Sequence, residues 1–261
     1  MAVSAGSSIS APTVSLATRC LLLDIEGTTS SIQFVHNEMF PFARRELEGY
    51  IESHWGEAEL EGALDELARE AGFADRHAWL SGIADSAARQ RIMEFVLQLM
   101  DRDAKVTGLK QLQGLVWRGG FETGNLQAHL FDDVPGALKR WRDAGLEIRI
   151  YSSGSVESQQ LFFGHTIAGN LLPLFSGHYD TRVGGKREVA SYLTIARDIG
   201  LPPDEIVFVS DVEAELEAAQ TAGLQAVLSV RPGNADQPGS SRFPVICSFD
   251  QLQIRTPGDP S

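Results

Sequence analysis

Short apolar-rich runs recur along the chain, and each stops abruptly at polar residues. Residues 20–23 give way to Asp24, 146–151 to Ser152-Ser153-Gly154, 206–209 to Ser210-Asp211, and 226–230 to Arg231-Pro232-Gly233. Runs of this length bounded by turn formers predict buried strands. The stretches between them, 135–144, 156–165, 187–199 and 213–222, carry apolar residues at helical spacing. Strand and helix thus alternate, which predicts parallel strands joined by right-handed helical crossovers. The expected fold is α/β, a doubly wound parallel sheet whose ligand site lies beyond the carboxyl ends of its strands. All four polar tips fall on that edge.

Residues 34–130 break the alternation. They are rich in Ala, Glu, Leu and Arg, as in 56–71 and 87–100, and poor in β-branched runs. This predicts a helical cap inserted after the first strand, at the ligand edge, where it can act as a lid. The core is then 20–33 with 131–255, and the small, polar residues 1–19 read as a flexible N-terminal tail.

The chain has 261 residues, 43% hydrophobic and 22% charged, which excludes disordered, collagen-like and coiled-coil classes. Twenty-two basic against 35 acidic residues give a net charge of −13. Such a surface repels polyphosphate backbones, so no nucleic-acid partner is expected, although a local basic pocket can still take a small anion. Cys20 and Cys247 suit neither a disulfide framework nor a zinc site and read as buried free thiols. No apolar run approaches the ~18 residues of a membrane span. The first 19 residues lack the basic start and apolar stretch of a secretion signal. A cytoplasmic monomer with no membrane partner is expected, nuclear placement also being open in a eukaryote.

The tips carry the candidate chemistry. Asp24 and Glu26 are carboxylates one residue apart, followed by Gly27-Thr28-Thr29; alone, they fit a solvated strand end. Ser152 and Ser153 precede Gly154 at a helix start, where hydroxyls and free backbone N–H groups suit a phosphate and equally suit a helix cap. Lys186 follows Gly184-Gly185 and is read as opening a helix, from which its ammonium could reach the same edge. Asp211 ends the apolar strand IVFVS, and Glu215 follows at i+4 on the same helical face; capping and a favourable helix-end charge explain that pair as well. What changes the reading is the set. Three acidic groups and one lysine at a single sheet edge are costly without a cation, because like charges raise one another's pKa. Oxygen ligands without His or Cys favour Mg²⁺.

Taken in order, D-x-E-G-T-T, S-S-G-S, a lone Lys and S-D-x-x-x-E resemble the four motifs of the haloacid dehalogenase superfamily. The resemblance covers roughly residues 21–249 and becomes finer. DIEGTTSSIQFV from Asp24, QGLVWRGGF from Gln113, IYSSGSVESQ from Ile150, GHYDTRVGGK from Gly177 and VRPGNA from Val230 are similar to the enolase-phosphatase family of methionine salvage, the bifunctional acireductone synthases.

The resemblance implies that Asp24 is the nucleophile that becomes an aspartyl phosphate, splitting one hard step into two easier ones. It implies that Glu26 protonates the leaving alkoxide and assists water, while its backbone carbonyl ligates the metal. Glu26 stands where the commonest phosphatases of the superfamily carry aspartate, so direct side-chain ligation competes with the acid role. Ser152 and Ser153 would hold the phosphoryl oxygens, Lys186 would neutralise the phosphoryl group and Asp24, and Asp211 would complete the Mg²⁺ site. Glu215 would act through Lys186 or through a water of the cation's shell. The implied substrate is a small phosphorylated diketone, 2,3-diketo-5-methylthiopentyl-1-phosphate, enolised and then dephosphorylated to 1,2-dihydroxy-3-keto-5-methylthiopentene. For the enolisation base, Glu26 and a group from the insertion both stand open.

Two other readings keep part of the pattern: a Mg²⁺-dependent phosphomonoesterase acting on another small metabolite, and a non-catalytic module that accepts phosphate as a signal. Dehalogenation fits less well, since that branch of the superfamily works without the metal. Trp117 and Arg118 could touch substrate, but taken singly a packed tryptophan and a surface arginine are the simpler expectation, as is a packing or solvated role for His36.

Overall fold

The computed structural model describes residues 13–235 and 241–257. The chain divides into two compact units, Met1–Ile32 with His129–Ser261, and Gln33–Ala128.

The first unit is built on strands β1 (Val14–Ala17), β2 (Cys20–Leu23), β3 (Glu147–Tyr151), β4 (Gly177–Tyr179), β5 (Ile206–Ser210), β6 (Gln225–Ser229), β7 (Val245–Ile246) and β8 (Leu252–Arg255). Six of them form a parallel sheet in the order β4-β3-β2-β5-β6-β7. Every residue of β2 and β5 is buried, as strands covered on both faces require, which is why they read as unbroken apolar runs. The connecting helices are Asp133–Asp143, Val156–Gly164, Val189–Ile199 and Glu213–Thr221. The helix Val189–Ile199 stops at Gly200, whose φ of +77° makes the left-handed cap that glycine adopts without penalty. From β2 the sheet grows outward through β3 to β4, and from β5 through β6 to β7. The direction reverses between β2 and β5, the switch point where a doubly wound sheet opens its ligand crevice. The register pairs Leu23 with both Ile150 and Val209, so Asp24, Tyr151 and Ser210 end together.

Several sequence expectations are corrected here. Val14–Ala17, placed in the flexible tail, is a strand paired in parallel with Leu252–Arg255. Its alternating burial is too short a signal beside small polar neighbours, and its partner lies at the far end of the chain. Residues 1–12 of that tail lie outside the described residues. Lys186 does not open a helix: the helix begins at Val189, and Lys186 sits in the preceding turn. Cys247 is exposed rather than buried. It lies in the turn after the two-residue strand β7, where its N–H donates to Gln251 Oε1 at 2.6 Å. Cys20 is buried, and desolvation pushes its thiol up to about 12.

The second unit is helical, with Phe40–Ser53, Ala58–Glu70, Asp85–Asp101 and Thr107–Glu122 as its main elements. Leu60, Leu64 and Leu67 are buried along one face of the second, as are Leu109, Leu112 and Val116 of the fourth. Gly108 lets these two approach, since a Cβ there would lie 2.6 Å from the Leu67 nitrogen. Trp117 packs edge-on against Phe40 and donates its indole N–H to the Met39 carbonyl at 2.8 Å. Arg118 pairs with Glu59 at 2.8 Å, and His36 is exposed beside Phe40. No helix among the described residues is long and apolar enough to cross a membrane.

Candidate active site

The loop after β2 is wound tightly by its own backbone. The Ile25 carbonyl accepts from the N–H groups of Thr28, Thr29 and Ser30 at 3.2, 3.0 and 2.9 Å, and the Gly27 N–H donates to Ser30 O at 2.8 Å. Gly27 has a φ of +69°. A Cβ there would overlap Asp211 Oδ2 and lie 3.0 Å from Asn234 Oδ1. Thus only glycine lets the loop from β2 nest against the tips of β5 and β6.

Asp24 is buried at the switch point, anchored by its N–H to the Val209 carbonyl at 3.0 Å and by Ile25 N–H donating to its Oδ1 at 2.8 Å. Lys186 Nζ lies 2.7 Å from Asp24 Oδ2 and 2.7 Å from Glu215 Oε2, with the lysine and Asp24 side chains only 7% and 6% exposed. Ser210, the last residue of β5, donates its hydroxyl to Glu215 Oε2 at 2.9 Å and stands 3.3 Å from Asp24 Oδ2. Burial alone would lower the Lys186 ammonium, but Asp24 and Glu215 outweigh it and raise its pKa, so it stays charged. Burial, reinforced by the charge of Asp24, raises Glu215 and pushes Asp211 up to about 7. One buried ammonium does not balance the acids gathered here.

The lysine is held by its own backbone. Three successive carbonyls each accept a side-chain hydroxyl: Gly184 O from Tyr151 at 2.9 Å, Gly185 O from Ser191 at 2.8 Å and Lys186 O from Tyr192 at 2.6 Å. Tyr151 and Tyr192 are fully buried and meet edge-on, with Phe208 against both.

At the end of β3, Ser152 is buried and Ser153 exposed. Gln159 secures their loop by donating its amide to the Gly154 and Tyr179 carbonyls, both at 2.8 Å. Buried Asp180, just past β4, accepts from Val156 N–H at 3.2 Å and Arg182 N–H at 2.9 Å. The structure therefore joins Asp24, Lys186 and Glu215 directly through ion pairs. Ser152 and Ser153 lie at the neighbouring strand end without a hydrogen bond to that cluster among the described residues, and the Glu26 side chain is exposed.

Sequence reasoning passed over the residues that hold the loops. Arg231, read only as a polar tip, has a side chain 2% exposed. It makes a two-point pair with Asp133 at 2.9 Å and donates to the Thr28 and Cys247 carbonyls at 3.1 and 2.9 Å. Its guanidinium lies between the rings of Phe131 and Phe249, 4.7 and 4.8 Å from their centroids. Its place in VRPGNA was the available signal; its partners were not visible.

Among the described residues no three His, Cys, Asp or Glu side chains converge as a ready-made metal cage. The donors present are all oxygen: Asp24, Asp211, the carbonyls of the loop after β2, and the Asn234 amide oxygen. Such a set fits an ion that keeps much of its water, as Mg²⁺ does.

Residues 18–223 match the haloacid dehalogenase-like hydrolase family. Enolase-phosphatase E1 of Drosophila erecta is 45% identical over 90% of this chain and 93% of its own length. The Drosophila melanogaster protein of that name is 45% identical over 90% and 92%. The crystal structure of the Saccharomyces cerevisiae protein called unknown transcript 4 is similar with a TM-score of 0.73 and 30% identity, covering 89% of this chain and 99% of that one. The chain belongs to the haloacid dehalogenase-like hydrolases and, within them, to the enolase-phosphatase E1 family.

Proposed function

We propose that the protein is a bifunctional enolase-phosphatase that converts 2,3-diketo-5-methylthiopentyl-1-phosphate into 1,2-dihydroxy-3-keto-5-methylthiopentene and phosphate, as a cytoplasmic step of methionine salvage. The observation that carries the reading is the buried Asp24–Lys186–Glu215 arrangement at the sheet's switch point, in a chain of this family.

Asp24 attacks phosphorus. The new P–O bond to its carboxylate forms as the bond to the substrate's alkoxide oxygen breaks, and Glu26 supplies the proton that the leaving oxygen needs. The Glu26 carboxylate then takes a proton from water, which attacks the aspartyl phosphate and releases phosphate. Lys186 remains charged throughout and offsets the negative charge of Asp24 and of the incoming phosphoryl group. Ser152, Ser153 and the backbone N–H groups of their loop receive the phosphoryl oxygens. Asp24, Asp211 and the Glu26 carbonyl would hold Mg²⁺, which when bound screens the nucleophile from the anionic substrate and stabilises charge on the phosphoryl oxygens. The exposure of the Glu26 side chain favours its acid role over side-chain ligation. The helical unit, inserted in the chain between β2 and β3, is assigned the cap role.

The test is turnover of the diketone phosphate with and without Mg²⁺, with enediol absorbance and phosphate release followed together. Both signals are expected, and both should stop reversibly on chelation. Phosphate release without the enediol band would favour a phosphomonoesterase for another metabolite. A phosphoaspartate lasting minutes without turnover would favour a signalling module.

A further inference from the structure

The VRPGNA stretch supplies a feature that the proposed reaction does not use. Asn234 stands in the turn after β6 and donates its amide N–H₂ to the Gly27 carbonyl at 2.9 Å and the Ser229 carbonyl at 3.3 Å. Both partners are acceptors, so the amide has only one workable orientation, because the reverse would set oxygen against two carbonyl oxygens. That orientation leaves Asn234 Oδ1 buried and without a hydrogen-bond partner among the described residues, a state it shares only with Thr28 Oγ1. A buried acceptor left unpaired is costly and calls for an explanation.

Its surroundings supply one. Asn234 Oδ1 and Asp211 Oδ2 both border the space a side chain at Gly27 would fill. Asp211 belongs to the acid cluster that the single ammonium of Lys186 does not balance, and Gly27 directly follows Glu26. A donor arriving there with a cation would satisfy the amide oxygen. We propose that Asn234 is a positioning residue for the metal, its Oδ1 accepting a hydrogen bond from a water in the hydration shell of Mg²⁺ held by Asp24 and Asp211. Mg²⁺ sheds its waters reluctantly and is oriented through them, which suits a neutral amide oxygen better as a partner for water than as a direct ligand. The same side chain ties the loop of Gly27 to β6, so it links the metal to the loop that bears Glu26.

This inference rests on the Mg²⁺ reading of the proposed function, and the test separates the two. Mg²⁺ is titrated calorimetrically into the full-length wild type, Asn234→Ala and Asn234→Asp, with melting of each recorded in chelator. The alanine variant is expected to bind Mg²⁺ about 10-fold or more weakly, the usual scale for losing an outer partner of a metal site. Asn234→Asp keeps an oxygen acceptor while losing the donors to Gly27 and Ser229. It is expected to melt lower in chelator yet bind Mg²⁺ within about 3-fold of wild type, well below the scale for losing an outer partner. Wild-type affinity in the alanine variant, or an equal loss in both variants, would overturn the inference, the second result assigning the effect to the donors. Where the alanine variant does not fold, a loss of about 10-fold or more in Asn234→Asp overturns it alone. A wild type that binds no Mg²⁺ removes the metal reading itself, before either variant is compared.

Discussion

Tyr192→Phe removes one oxygen atom from a fully buried ring and leaves the packing against Tyr151 and Phe208 in place. The loss is therefore a single hydrogen bond, the 2.6 Å contact from the phenol to the Lys186 carbonyl. A buried carbonyl left unpaired costs about 1–3 kcal/mol. In a chain of this size, that corresponds to a melting point lower by about 2–12 °C. The catalytic consequence is separate. Lys186 Nζ meets Asp24 and Glu215 at 2.7 Å each because its backbone is pinned at three consecutive carbonyls, and displacing a charge by ~1 Å can cost about 100-fold in rate. The expected result is a fall in kcat of about 10- to 100-fold, with kcat/KM falling alongside, the pattern of an interaction that matters in the transition state. Burial raises the pKa of both phenols, so each hydroxyl keeps its proton at assay pH and the defect should be flat between pH 6 and 8. Tyr151→Phe, which frees the Gly184 carbonyl, should behave similarly, and the double variant should lose less than the sum, because both hydroxyls restrain one loop. Steady-state kinetics and melting on the same preparations check this. A Tyr192→Phe enzyme that melts lower but turns over at the wild-type rate would refute the claim that the hydroxyls position the lysine.

Asp24→Asn keeps the acceptor for the Ile25 N–H but replaces the attacking carboxylate with an amide. It should show no phosphate release above background while its hydrogen exchange across β2 and β5 stays that of wild type, and measurable turnover would remove Asp24 as nucleophile. Arg231→Met should destabilise the first unit by about 3 kcal/mol, the low end of the range for breaking a buried pair, since it strands the half-buried Asp133 carboxylate. Burial works against ionised Asp133, but hydrogen bonds from Arg231 and from Phe249 N–H prevail and hold its pKa below the ordinary carboxylate value. A depressed acid contributes stability above its unfolded pKa and loses it as pH falls through the folded one. The gap between wild type and Arg231→Met in urea unfolding should therefore be full at pH 7 and narrow below about pH 4, near the unfolded aspartate value. A gap that does not change with pH would contradict the charge-pair account.

What could be read from the chain without coordinates follows a physical division. β2 and β5 were legible because both faces of a central parallel strand are buried, so their apolar runs are continuous and end where the carboxyl edge meets polar groups. Gly177–Tyr179 and Val245–Ile246 are too short to make a pattern, and Val14–Ala17 pairs with a strand at the opposite end of the sequence. The candidate site divides in the same way. Asp24, Ser152 and Asp211 stand at strand ends, where chemistry and ordinary turns use the same residue types, so position alone could not separate a nucleophile from a cap. The separating property is burial of charge, and it depends on partners distant in sequence. Lys186 finds Asp24, Arg231 finds Asp133, and the three hydroxyls that fix the lysine loop come from β3 and from the helix Val189–Ile199. A lysine in a glycine-rich turn and an arginine before a proline look like solvated residues in a string of letters. Their cost in the folded chain is what identifies them: an ammonium or guanidinium this enclosed persists only where its partners are fixed in advance. Here those partners are the Asp24 and Glu215 carboxylates for the lysine, and the Asp133 carboxylate with the Thr28 and Cys247 carbonyls for the arginine.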